Sequence, residues 1–266
     1  MKKVLLSIFG IFLALSFSLT SAQAASNYTF KDVRNPDNPY NATDFYVIRT
    51  LASNIKSEVI KKPVSSSGYM GINGGLFSSS CYSCTPSGRS ISYYSGAKNN
   101  YNYNGTSSKQ ITRPTYVTYY DKKSKQTKVK ILKFKNMSQI TNDFKKYPNQ
   151  QIKTAIGGVR YSVSDWGSKA YYAPARRTVL GFKEEKGKTY AYLVISKPMV
   201  TIPQLQRKLS RIGLNDKNSI MLDGSGSSSM RVKNGSKWFI DKGTETTSGK
   251  TANRHVFNMV RLINTN

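Results

Sequence analysis

The chain has 266 residues, with 41 Lys and Arg against 13 Asp and Glu, a formal net charge of +28. Such an excess rules out an acidic solvating chain and makes polyanions the expected surroundings. The lysines are scattered along the whole sequence, with no basic block or basic helix, so the charge reads as a generally positive surface and not as a specific nucleic-acid module.

Met1-Lys2-Lys3 gives a short positive start, Val4 to Thr20 is almost wholly apolar, and Ser21-Ala22-Gln23-Ala24-Ala25 contains an A-x-A cleavage pattern. These predict a secretory signal peptide over 1–24, followed by a single domain over 25–266. No other apolar run approaches a membrane-spanning length, so no membrane contact is expected after cleavage. The expectation is a secreted, wall-associated protein of roughly 240 residues, enough for a sizeable core.

Ser26 to Tyr40, with Pro36 and Pro39, reads as an irregular lead-in. Asp44 to Thr50 reads as a strand. Gly68 to Phe77 is a short apolar strand broken by a tight turn at Asn73-Gly74-Gly75. Cys81 and Cys84, the only cysteines, lie between Ser78-Ser79-Ser80 and Thr85-Pro86-Ser87-Gly88. Those are loop residues, unlike the strand and helix of a redox pair, so the two cysteines read as a loop-stapling disulfide or as free thiols. Ser90 to Arg113 is either a long surface loop or a pair of weak strands. Tyr116–Tyr120 and Lys128–Phe134 flank a charged turn, and Met137 to Tyr147 has helical apolar spacing.

Thr154 to Val159 reads as a strand, and Arg177–Phe182 and Thr189–Ile195 as a hairpin around K-E-E-K-G-K. Thr201 to Ile212 is a helix, with Ile202, Leu205, Leu209 and Ile212 on one face and a Thr201/Gln204 capping box. Asn234-Gly235 signals another hairpin, and His255 to Ile263 a final strand. Hairpins with few helices predict an α+β fold, a mixed but largely antiparallel sheet with flanking helices.

The stretch Ser219 to Met230, S-I-M-L-D-G-S-G-S-S-S-M, holds the chemistry. A short buried strand delivers Asp223 to a turn of Gly224, Ser225, Gly226, Ser227 and Ser228. Glycines let backbone N–H groups approach an anion, and serines add donors. A carboxylate beside such a cradle can act as acid, base or metal ligand, and a solvated turn is the plainer alternative. His255 is either an acid–base group or a rim histidine. Trp166 and Trp238 are sugar-stacking candidates whose ordinary use is packing.

Four stretches occur in order: G-I-N-G-G-L-F at 71–77, R-R-T-V-L-G at 176–181, I-M-L-D-G-S-G-S-S-S-M at 220–230 and N-R-H-V-F-N at 253–258. Together they resemble the phosphodiester glycosidase family, whose patterns are close to N-G-G-F-F, R-T-A-x-G, L-D-G-G-G-S-S-T-M and R-x-x-x-N. The resemblance runs from about Tyr69 to Leu262. It implies a hydrolase cutting a sugar-1-phosphodiester, with Asp223, Arg177 and Asn73 as the catalytic set. Gly74, Gly75, Gly224, Ser225, Gly226, Ser227, Ser228, Arg254 and Asn258 would bind the substrate. In this assignment Arg177 holds phosphate oxygens bidentately, backbone N–H groups from Gly224 to Ser227 hold the rest, and Asn73 and Asn258 reach sugar hydroxyls. No cofactor is implied, and a divalent metal is left open. Three positions depart from the family: Ser225 replaces the middle glycine, Ser196 replaces an Asp, and Leu76 replaces an aromatic. A non-catalytic, polyanion- or glycan-phosphate-binding descendant is the alternative.

Overall fold

The computed structural model describes residues 27–35, 42–245 and 248–266. The expected signal peptide lies outside them. Every strand pairing within the described sheets is antiparallel. The fold is α+β, as the hairpin-rich sequence leads one to expect.

Three sheets make the body. The first runs, in spatial order, Tyr28–Arg34, Thr43–Leu51, Lys188–Ser196, Thr178–Glu185 and Ser219–Met221. The second runs Lys237–Asp241, Met230–Asn234, Gly71–Asn73, Val256–Leu262 and Ile55–Lys62. The third runs Ser92–Tyr94, Gln150–Gly157, Arg113–Asp121 and Gln126–Phe134. All three contribute to one core: Ile48, Leu180 and Leu193 from the first, Ile72, Met230 and Val260 from the second, Tyr116 and Ile156 from the third. Each fully buried aliphatic side chain contributes about 1.5–3 kcal/mol, so this shared core fixes the sheets against one another.

Helices close the outer faces. Ile202–Ser210 lays Ile202, Leu205 and Leu209 on Val179, Val194 and Met221 of the first sheet. Its start is the predicted capping box, with Thr201 accepting from Gln204 N–H and Gln204 accepting from Thr201 N–H. Met137–Phe144 covers the third sheet through Ile140 and Phe144, capped by Asn136.

The lead-in expected to be irregular contains a strand, Tyr28–Arg34, paired along its length with Thr43–Leu51. Its polar residues face solvent, while Tyr28 and Phe30 pack against the central core. The K-E-E-K-G-K turn is tighter than its sequence suggests. Strand pairing continues to Glu185 and resumes at Lys188, leaving Lys186 and Gly187, both at positive φ, as a two-residue turn. The stretch 90–113 is mostly loop, with one short strand at Ser92–Tyr94.

Candidate active site

The site forms where the first and second sheets meet. Strand Ser219–Met221 ends there with Leu222 and Asp223, and strand Gly71–Asn73 ends beside it with Gly74. Asp223 N–H donates to Gly74 O at 3.1 Å, and Asn73 N–H donates to Ser229 O at 3.2 Å. The two glycine turns are therefore pinned to each other through their backbones.

Asn73 is the central pin. It is fully buried, with 0% exposure. Its Nδ2 donates to Asp223 O at 2.7 Å, and its Oδ1 accepts from Thr178 Oγ1 at 2.9 Å and from Ser229 N–H at 3.1 Å. Thr178 Oγ1 also lies 3.0 Å from Ser228 Oγ. Asn73, Thr178 and Ser228 thus form a buried polar layer beneath Asp223. Asn73 was expected to reach a sugar hydroxyl. Its hydrogen-bonding groups are spent inside the fold, and what it does is hold the Asp223 turn in place.

Asn258 differs from expectation in the same way. It is 1% exposed and donates from Nδ2 to Ser57 Oγ at 3.1 Å. It packs directly against Gly74: a Cβ at that glycine would lie 2.4 Å from Asn258 Oδ1. Only glycine allows this approach. Gly75 and Gly224 are similarly close to Gly157 O and Arg176 O.

Asp223 as a residue is half-buried, and its carboxyl is enclosed by protein. Burial pushes it up to about 6, against the opposing pull of Ser227, the Arg254 charge and Gly224 N–H. Ser227 Oγ stands close enough to favour the ionised form, yet it makes no well-formed hydrogen bond and is buried at 1% exposure. The Nε of Arg254 is buried and unpartnered too, with its guanidinium 4.9 Å from the Phe77 ring centre and 5.1 Å from that of Tyr82. A buried donor without a partner costs roughly 1–3 kcal/mol. Ser227 faces the Asp223 carboxyl, whereas Arg254 Nε has no partner among the described residues, which leaves a cation with spare donor capacity beside the carboxyl.

Arg177 does not join this group. Strand side chains alternate in direction, and Thr178 is the residue that points at Asn73. Arg177 points to the opposite face, where Nε donates to Val200 O at 3.2 Å and Nη2 to Ala173 O and Ala170 O at 2.8 and 3.2 Å. Its guanidinium lies 5.4 Å from the Trp166 ring centre. Burial lowers it to about 10, so it remains a cation at neutral pH. Arg176 is equally committed, to Ser196 O, Thr244 Oγ1 and the Asp241 carboxylate at 2.8 Å. The expected phosphate-holding role therefore falls away from Arg177, and the cation beside Asp223 is Arg254.

The backbone cradle is also narrower than the sequence suggests. Ser225 N–H goes to Arg176 O and Ser227 N–H to Gly224 O. Ser225 sits at φ 56°, left-handed backbone that a glycine adopts freely and a serine at a cost of about 1–2 kcal/mol. Ser196 is buried, accepting from Arg177 N–H and donating to Pro198 O. Cys81 and Cys84 form a disulfide. Among the described residues no three His, Cys, Asp or Glu side chains come together. Thr178 and Tyr82 are the site residues that sequence reasoning missed. The alternation of R-R-T-V could have found the first; nothing local signals the second.

The profile of the phosphodiester glycosidase family matches residues 69–262, spanning both glycine turns, Thr178 and Arg254. The chain belongs to the phosphodiester glycosidase family. Members of this family are hydrolases, and so is this protein. No curated relative matches it. Among solved structures it is similar to the catalytic domain of zebrafish N-acetylglucosamine-1-phosphodiester alpha-N-acetylglucosaminidase, auto-inhibited by its pro-peptide. The TM-score is 0.53 at 14% identity, over 89% of this chain and 82% of that one. At that identity the likeness concerns the fold, and the family assignment rests on the profile.

Proposed function

We propose that the protein is a secreted glycosidase that hydrolyses a sugar-1-phosphodiester, with an anionic cell-wall or exopolysaccharide polymer as the natural source of the bond. The observation that carries this reading is the grouping of Asp223 with Ser227, which favours its ionised form, and with Arg254, whose buried Nε has no partner among the described residues. A carboxylate beside a cation with spare donor capacity suits a substrate with an acetal carbon next to a phosphate. The bond between C1 and the bridging oxygen breaks, that oxygen leaves with the electron pair as part of the phosphate monoester, and C1 ends with a hydroxyl supplied by water, directly or after a glycosyl-enzyme. Phosphate is a good leaving group and needs little protonation. One carboxylate can then suffice where most glycosidases use two. Asp223 works in its ionised form, either taking the proton of the attacking water or attacking C1 itself. Retention or inversion at the released sugar distinguishes these. The net positive charge supports association with an anionic polymer.

The test is incubation of the purified protein with a panel of sugar-1-phosphodiesters and anionic wall polymers, with released sugar as the readout. Release that disappears in Asp223→Asn supports the reading. Tight binding without release would instead make this a sugar-phosphate-binding descendant, the reading that Ser196, bonded internally where the family has an Asp, favours. Wall association that does not weaken as salt rises would show that the charge is incidental to it.

A further inference from the structure

Tyr82 lies between the two cysteines, and no chemistry assigned so far uses it. The Cys81–Cys84 disulfide closes the loop that carries it. Ser79 Oγ braces that loop from within, donating to Cys81 O at 2.7 Å and standing 3.2 Å from Cys84 O. From outside, His255 N–H donates to Tyr82 O at 2.8 Å, tying the loop to the segment that carries Arg254. The ring is placed against the Asp223 turn. A Cβ at Gly226 would lie 3.0 Å from its Cε1 and 3.2 Å from its hydroxyl, so a side chain at 226 would displace it. Its other neighbour is the Arg254 guanidinium. Held this firmly, Tyr82 is still 40% exposed.

We propose that Tyr82 is the specificity-determining ring of the site, its exposed face stacking on the sugar whose phosphodiester is cut at Asp223. The inference rests on the glycosidase reading above and adds the group that receives the sugar. A pyranose presents an apolar C–H face suited to an aromatic ring. A ring fixed beforehand loses little freedom on binding: the disulfide, Ser79 and His255 N–H fix the loop backbone, and Gly226 and Arg254 flank the ring. Stacked also on Arg254, it would place the sugar next to the donors that hold the phosphate. The Cys81–Cys84 bridge is then a device for positioning Tyr82.

The experiment compares wild type, Tyr82→Ala, Tyr82→Phe and the Cys81→Ser/Cys84→Ser double variant on the methyl phosphodiester of N-acetylglucosamine-1-phosphate. It records KM, kcat, inhibition by inorganic phosphate and Tm. Tyr82→Ala is expected to raise KM about five- to tenfold, with kcat and phosphate inhibition within about twofold. Tyr82→Phe should restore most of the binding, and the double serine variant should show a smaller rise in KM. An unchanged KM in Tyr82→Ala overturns the inference. So does a parallel loss of phosphate inhibition, which would mean that the ring only supports Arg254. If wild type releases no sugar, the glycosidase reading fails separately. Calorimetric binding of the same diester then decides Tyr82, and equal affinity in wild type and Tyr82→Ala overturns it.

Discussion

Arg177 and Arg254 are both arginines of family motifs, and the structure treats them in opposite ways. Arg177 is 4% exposed, with carbonyl oxygens accepting from its Nε and Nη2 and Trp166 beside it. Arg254 is partly exposed, its Nε has no partner, and its neighbours are two aromatic rings and the Asp223 charge. The first arginine organises protein and the second is left waiting. Hydrogen-bond saturation separates a scaffold cation from one that faces a ligand, and that property belongs to the fold.

The sharpest way to test this contrast starts at the carboxylate itself. Asp223→Asn keeps the shape and removes the charge, so turnover on a cleavable diester should fall by about a thousandfold or more while circular dichroism stays native. Retained activity would dissolve the site. Arg254→Ala comes next. It should weaken phosphate inhibition and raise KM by about ten- to a hundredfold, as loss of a charge-assisted contact does, with little change in Tm. Arg177→Met should do the reverse. Removing the caged guanidinium leaves buried carbonyls unpaired at a cost of about 3 kcal/mol, seen as a Tm lower by roughly 5–10 °C, with turnover per folded molecule near wild type. If Arg177→Met damages KM more than Tm, the contrast is wrong.

The pH dependence sharpens the same picture. The folded-state pKa of Asp223 is raised, to about 6. The protonated form is favoured by folding, so the stability linked to it is present below the unfolded value near 4 and is lost as pH rises through about 6. Wild type should therefore lose stability relative to Asp223→Asn between about pH 4 and 7, by on the order of 2 kcal/mol, read as a falling Tm difference. Over that range kcat/KM should climb as the carboxylate forms. A flat Tm difference would show that the carboxyl is not strained. The smallest effect is expected from Ser225→Gly, which relieves the φ 56° backbone and should stabilise by up to about 1 kcal/mol in denaturant unfolding.

Much of the architecture was legible because it is local. The capping box at Thr201 and Gln204, the apolar stripe of that helix and the hairpin turns each announce themselves within a few residues. Tyr28–Arg34 did not: its pairing partner Thr43–Leu51 is the next strand, but its sequence is mostly polar, and the groups that Phe30 and Tyr28 meet, Phe239 and Lys233 O, come from distant chain. Ile55–Lys62 has the same character: it was not read from sequence, and among the described residues its pairing partner is Val256–Leu262, almost two hundred residues on. In the site, Asp223 and Asn73 were placed by their glycine turns. Which of Arg177 and Thr178 faces them depends on strand phase, and a one-residue change of phase exchanges the two faces. The roles of Asn73 and Asn258 depended on their surroundings as well. An asparagine that pins a turn and one that binds a sugar are spelled alike.

The second sheet has an order whose effect is felt before any substrate arrives. Gly71–Asn73 and Ile55–Lys62 are close in sequence but do not pair with each other; Val256–Leu262 lies between them. The sheet that carries Asn73 therefore cannot close until residues 256–262 have been made, about 180 residues after Asn73. Non-local pairing of this kind is slow, because chain entropy is lost before contacts repay it. A nascent chain lacking its final strand has neither a finished second sheet nor the floor that Asn258 lays under Gly74. For a protein exported as proposed above, the topology acts as a timer: it delays completion of the site until residues 256–262 have emerged, which keeps the hydrolase silent before then.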